Sequence, residues 1–283
     1  MAMETVAIVG VGLIGGSFGL ALRKTGFAGE IIGVSSPAAI AAGLKRSAIS
    51  SAASLDLALI RADLVYLAQP VDRILETIPL MAAGLRQGTL VTDAGSTKGA
   101  IVACAEAHLR AGCFLGGHPI AGKEQRGPDA ADADLFRNRL YVLTPRGPDT
   151  PQIGDFRTIL SAMGAHVMEM SPEEHDHTLA YTSHLPQLLS TALAATLAHD
   201  GDIRLSQVFG SGLLDMTRLA LSSPELWTSI LRTNKREVEA AIDAVVQVLI
   251  GLKANLGESE TANTFEQATA FAASIRKRAP AKP

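Results

Sequence analysis

The sequence predicts an α/β sheet domain followed by an all-helical one, and three observations carry that reading. Short apolar runs ending in small polar residues alternate with amphipathic stretches through the first half. A glycine-rich turn directly follows the first of those runs. After Met170 the runs stop, and long helical patterns continue to about Ala273.

Taken in order, TVAIVG and EIIGVS read as short buried strands with a helix over 15–25 between them. ADLVYLAQP, GTLVTDAGS and GCFLGGHP repeat the pattern, separated by helical segments at 71–83 and 98–108. Strands alternating with helices imply a parallel, doubly wound sheet whose ligands lie at the carboxyl ends of the strands. RLYVLTP and GAHVMEM add two strands flanking a helix over 151–163. The uncharged run 6–22 approaches the length of a membrane span. Its five glycines and the missing basic leader make it a strand, a turn and a helix start instead.

The second half opens on a capping box, with Ser171 as N-cap, Pro172 in the first helical position and Glu174 at N3. The domain boundary is therefore placed at 170, with 1–170 binding a dinucleotide and 171–283 helical. The helical patterns break near 201–202 and 222–224. Apolar faces such as AAIDAVVQVLIGL exceed what a few helices need for themselves, so a homodimer through the helical half is expected. The tail RKRAPAKP is expected to fray.

Composition narrows the class. Of 283 residues, 47% are hydrophobic and 19% charged, with a net charge of −3, which fits a globular protein and gives nucleic acid no basic surface. Cys104 and Cys113 form no disulfide framework, so a reducing cytoplasm is the expected setting.

Gly10, Gly12 and Gly15 form G-x-G-x-x-G between a strand and a helix. In that context the motif is a dinucleotide fingerprint: the glycines let backbone N–H groups approach a pyrophosphate at a helix N-terminus. Leu13 and Ile14 in the turn, and Pro70 at a later strand end, join the expected cofactor contacts. A NAD-selective site usually carries an acid at the end of the second strand. Ser35 and Ser36 stand there instead, which favours NADP or dual use over NAD alone. The same serines could merely cap the helix starting near Pro37.

DAGSTKG and GGHPIAGKE end neighbouring strands, so Ser96 and His118 can meet above a nicotinamide. A hydroxyl beside an imidazole orients it and can share its proton. Read from its loop alone, His118 could equally be a metal ligand or a polar turn residue. His175, His177 and His184 also invite a metal reading, but no pair shows the i, i+4 zinc spacing with a third ligand, so none is assigned. Helix-start polarity accounts for EEHDH.

GVGLIGGS, DAGSTK, GHPIAGKE, EEHDHTLAYTSHLP and DMTRLALSSPELW, in this order over residues 4–236, resemble the prephenate/arogenate (cyclohexadienyl) dehydrogenases of tyrosine biosynthesis. The resemblance implies a Rossmann domain followed by a helical dimerisation domain. It implies oxidative decarboxylation of prephenate or arogenate with NAD or NADP. His118 matches the histidine that accepts the proton of the substrate 4-hydroxyl, and Ser96 the serine that orients it. Arg218 matches the carboxylate-binding arginine, with Asp215 one turn earlier to fix its direction. Ser183 and His184 would face the cleft where Pro186 bends their helix. Gln187 stands where many members have a second histidine, near the substrate side chain, and the lack of an acid there favours prephenate. Trp227 would pack beneath the arginine or in a plain core. Tyrosine inhibition, where it occurs, is expected at the active site, because the chain shows no room for an added β-rich module.

Two other classes remain open on the sequence. A β-hydroxyacid-type dehydrogenase also joins such domains, but relies on a helical-domain lysine. A non-catalytic dinucleotide-binding sensor would bind cofactor without turnover.

Overall fold

A computed structural model describes residues 3–110, 113–123, 125 and 127–278. The end of the RKRAPAKP tail, from residue 279, and Glu124 of the histidine loop lie outside the described residues.

Eight strands form one sheet: β1 (Thr5–Val9), β2 (Glu30–Val34), β3 (Ser51–Ala52), β4 (Leu64–Leu67), β5 (Leu90–Asp93), β6 (Phe114–Pro119), β7 (Leu140–Thr144) and β8 (His166–Glu169). Their order is β3-β2-β1-β4-β5-β6-β7-β8. The crossovers carry α1 (Leu13–Lys24), α2 (Pro37–Lys45), α3 (Leu55–Leu59), α4 (Val71–Met81), α5 (Gly99–His108) and α6 (Pro151–Ala162). The reversal of order around β1 and β4 makes the topological switch point at which doubly wound sheets bind ligands.

One pair departs from the expected parallel sheet. β6 and β7 run antiparallel, with His118 opposite Val142. Among the described residues, the chain between them shows a three-residue 3-10 turn, Pro128–Ala130, and no crossover helix to carry it back across the sheet.

Alternate residues feed the two faces of the sheet. Val6, Ile8, Leu64 and Tyr66 pack with Phe18 and Phe156 on one side; Ala7, Val9, Val65 and Leu67 pack with Ile74 and Ile78 on the other. The Phe18 and Tyr66 rings stack at 3.9 Å.

The helical series continues with α7 (Pro172–Leu179), a π-helical turn (Ala180–His184), α8 (Leu185–Asp200), α9 (Ser211–Thr217), a 3-10 turn (Arg218–Leu221) and α10 (Pro224–Thr233), then α11 (Lys235–Ala254) and α12 (Ser259–Arg278). The expected capping box closes α7: Ser171 Oγ accepts from the Glu174 N–H at 3.0 Å, and Glu174 Oε2 accepts from the Ser171 N–H at 2.8 Å.

The chain divides into two compact units, Met1–Asn234 and Lys235–Pro283, so the division falls well beyond the change of texture at 170. The reason lies in polar ties to the sheet layer. Asp176 of α7 accepts from the N–H groups of Lys98 and Gly99 at 2.7 and 2.8 Å, and Thr97 and Thr233 hydroxyls pair at 2.8 Å. The second unit is the pair α11 and α12, whose Val248, Leu249, Ile250, Phe265 and Phe271 are exposed.

Candidate active site

The glycine turn is shaped for an anion. Gly10 has φ +98°, and a Cβ there would lie 2.7 Å from the Ala68 carbonyl oxygen. A Cβ at Gly15 would lie 2.1 Å from the Gly10 carbonyl oxygen, so helix and strand close up only without one. At Gly12 a Cβ would meet nothing within 4 Å. Gly12 is the N-cap of α1 and supplies no side-chain cap. The N-terminus of α1 thus has open space beside Gly12 and no side-chain cap on its first N–H groups, which fits a pyrophosphate. A cavity of about 250 Å³ runs on from the turn, lined by Leu13, Ile14, Pro70 and Ser96, with Ser229 and Ile230 of α10 closing its far side.

The two serines beyond β2 behave differently. Ser36 caps α2, its hydroxyl accepting from the Ala39 N–H at 3.4 Å, while Ser35 is exposed.

Beneath the ends of β5 and β6 lies a buried ion pair that the sequence did not reveal. Lys98 and Asp93 are both fully buried and bonded to each other. Lys98 Nζ also donates to the Gly117 carbonyl at 2.8 Å, and Asp93 accepts from the N–H groups of Gly95 and Gly117 at 2.7 and 3.1 Å. Burial pulls the Lys98 amine down from its ordinary range, and the Asp93 charge opposes that shift. The pair pins the residues next to Ser96 and His118.

His118 is half-buried on β6. Its Nδ1 lies 2.9 Å from His175 Nε2, and His175 Nδ1 lies 2.8 Å from Asp176 Oδ1. No hydrogen bond joins His118 to Ser96 among the described residues; the protein partner of the imidazole is His175. Burial, with help from neighbouring His175, Lys98 and His184, holds His118 well below the usual histidine range. Helix-start polarity accounts for Glu173 and Glu174 in the first turn of α7, but not for His175, which is fully buried where α7 packs against the start of α5.

The remaining expected residues fall in two groups. His184 is buried, faces Asn234 Nδ2 at 3.3 Å and meets Trp227 edge-on at 5.9 Å. Ser183 beside it is half-buried. A π-helical turn, an insertion typical of functional positions, ends just before Pro186, which lies in the first turn of α8. Arg218 opens the 3-10 turn and Asp215 sits on α9, both exposed. Gln187 is buried and donates to the Leu219 carbonyl at 2.8 Å, while Ser190 Oγ accepts from the Ala220 N–H at 3.0 Å. α8 therefore holds the turn that presents Arg218.

The buried histidines set an acid limit on stability. Burial pulls His184 down to about 4 and pulls His175 and His118 down as well. Below about pH 6.5 the unfolded chain takes up protons that these folded histidines refuse, so stability falls as pH drops from 6.5 toward 4. The urea midpoint is expected to be clearly lower at pH 5 than at pH 7.5. His184→Gln should flatten that dependence; equal slopes would show that His184 does not contribute.

Two family models match this architecture: "Prephenate dehydrogenase, nucleotide-binding domain" over residues 18–169 and "Prephenate dehydrogenase, dimerization domain" over 171–270. The chain belongs to the prephenate dehydrogenase family. A Bacillus subtilis prephenate dehydrogenase is 33% identical over 93% of this chain and 72% of its own length. The fold is similar to that of a prephenate dehydrogenase from A. aeolicus, in complex with hydroxyphenyl propionate and NAD+, with TM-score 0.87, 32% identity and 98% of each chain covered. It is also similar to Synechocystis arogenate dehydrogenase, with TM-score 0.83, 30% identity and 96% and 99% covered. Among the described residues, no helix is long and apolar enough to cross a membrane.

Proposed function

We propose that this member of the family oxidatively decarboxylates prephenate, with His118 as the base, Ser96 beside it and Arg218 holding a substrate carboxylate. The observation that carries the reading is a half-buried imidazole, kept neutral by its surroundings, on the strand next to the one that leads into Ser96 and the cofactor cavity. A bound nicotinamide dinucleotide supplies the hydride acceptor. The first N–H groups of α1 and the side chains of Leu13, Ile14 and Pro70 would hold it. His118 takes the proton of the 4-hydroxyl as hydride leaves the same carbon, and the ring carboxylate departs as CO2 while the ring becomes aromatic.

The finer assignments follow the same residues. Exposed Ser35, with no acid beside it, favours NADP or dual use over NAD alone. The absence of an acid near Gln187 favours the keto acid over the amino acid. The exposed apolar side chains of α11 and α12 favour a homodimer, and the free Cys104 and Cys113 favour a cytoplasmic setting.

Reduced-cofactor formation from prephenate and from arogenate, each with NAD and NADP, tests the proposal. Turnover of prephenate is expected. Cofactor binding without turnover of either compound would favour the sensor reading instead. Arg218→Ala is expected to raise KM for prephenate by about 10- to 100-fold, the loss of a charge-assisted pair, with less effect on kcat. An unaltered KM would place the carboxylate elsewhere.

A further inference from the structure

We propose that His175 and Asp176 are positioning residues that lock His118 in its Nδ1–H tautomer, leaving Nε2 bare to take the substrate proton. The inference rests on the reading of His118 as the base. It starts from Asp176, whose carboxylate accepts from two backbone N–H groups, Lys98 through Oδ1 at 2.7 Å and Gly99 through Oδ2 at 2.8 Å. A carboxylate held this way stays an acceptor. His175 Nδ1, 2.8 Å from Oδ1, must then carry the hydrogen. That leaves a lone pair on His175 Nε2, which faces His118 Nδ1 at 2.9 Å. His118 Nδ1 is therefore the donor of that bond, and its other nitrogen holds the free pair.

The order of these bonds has a chemical consequence. When Nε2 takes a proton, the new positive charge already has a hydrogen bond leading through His175 to a carboxylate, so no group needs to turn. The other charged and titratable groups close by are Lys98, directed at Asp93 and the Gly117 carbonyl, and His184, bonded to Asn234. None of them competes for His118 Nδ1. Asp176 also anchors the start of α5, two residues beyond Ser96, so one carboxylate sets both the loop of the hydroxyl and the tautomer of the base.

The first test needs no substrate. In the full-length protein labelled with 15N-histidine at neutral pH, the His118 signals, assigned by their loss in His118→Asn, should report a protonated Nδ1 and a bare Nε2. A protonated Nε2 would overturn the proposal. The second test is kinetic. His175→Phe keeps the ring's bulk and removes the acceptor; kcat should fall about 10²-fold, the acidic limb of the kcat profile should move, and the Kd for NAD+ should hold. His175→Gln keeps an acceptor oxygen and should recover most of the loss. Wild-type kcat and pH profile in His175→Phe, or equal losses in both variants with an unmoved limb, would reduce the ladder to a structural tie. Failure of the wild-type chain to turn over prephenate would overturn the substrate assignment, while the tautomer spectrum would still decide this one.

Discussion

Replacing His118 with asparagine is expected to lower kcat by about 10²- to 10⁴-fold, the range for losing a positioned general base. The Kd for the dinucleotide should stay at its wild-type value. Asparagine places a donor near the old Nδ1 position, so the bond to His175 can persist and little packing is lost. What disappears is the second nitrogen. The turn built from Gly10 to Gly15 follows β1, which is separated from β6 by β4 and β5, so the cofactor's own contacts are untouched. Steady-state turnover of prephenate beside a fluorescence titration of reduced cofactor separates the two effects. Near-normal turnover in the variant would remove His118 from the chemistry.

The largest stability effect is expected at Lys98. Lys98→Met should destabilise the protein by about 3–5 kcal/mol, because it leaves a buried carboxylate without its counter-charge. Asp93 and Lys98 are both fully out of contact with solvent, and neither can find water in compensation. Asp93→Asn in the Lys98→Met background should recover most of the loss, since the orphaned charge is gone. Urea midpoints at constant slope measure both variants. A Lys98→Met protein that unfolds at the wild-type urea concentration would show that the pair contributes nothing. The single variant should also turn over more slowly, because Lys98 and Asp93 together hold Gly95 and Gly117, the neighbours of the proposed serine and histidine.

What the sequence revealed, and what it hid, follows from the range of the forces involved. The strands and the glycine turn were legible because alternation and G-x-G-x-x-G are local patterns. The antiparallel β6–β7 pair was not, because it depends on what the connecting chain lacks rather than on the strands themselves. Ser36 fits both readings offered for it, since a helix cap and a phosphate contact need the same hydroxyl. His175 looked like a solvated residue in a charged helix start; its burial arises from α7 meeting α5, a contact about eighty residues apart in the chain. A signal was there nonetheless: His-Asp in adjacent positions at a capped helix start can carry a relay to a neighbouring element. Lys98 hid because a lysine in a small-polar loop ordinarily reaches solvent, and nothing local says that Asp93 will be sealed in with it.

The amide of Gln187 has an implication for anyone redesigning this enzyme. It lies at a position expected to sense the substrate side chain, yet its amide donates to Thr191 Oγ1 and to the Leu219 carbonyl, one residue beyond Arg218. On the proposed assignment of Gln187 and Arg218, selectivity and affinity are thereby wired to one residue. Variants at 187 that recover a new substrate will arrive with altered carboxylate binding, and the effects of changes at 187 and 218 will not add. A route to an amino-acid substrate is smoother if a donor to Leu219 is restored from another side chain first, so that position 187 becomes free to drift.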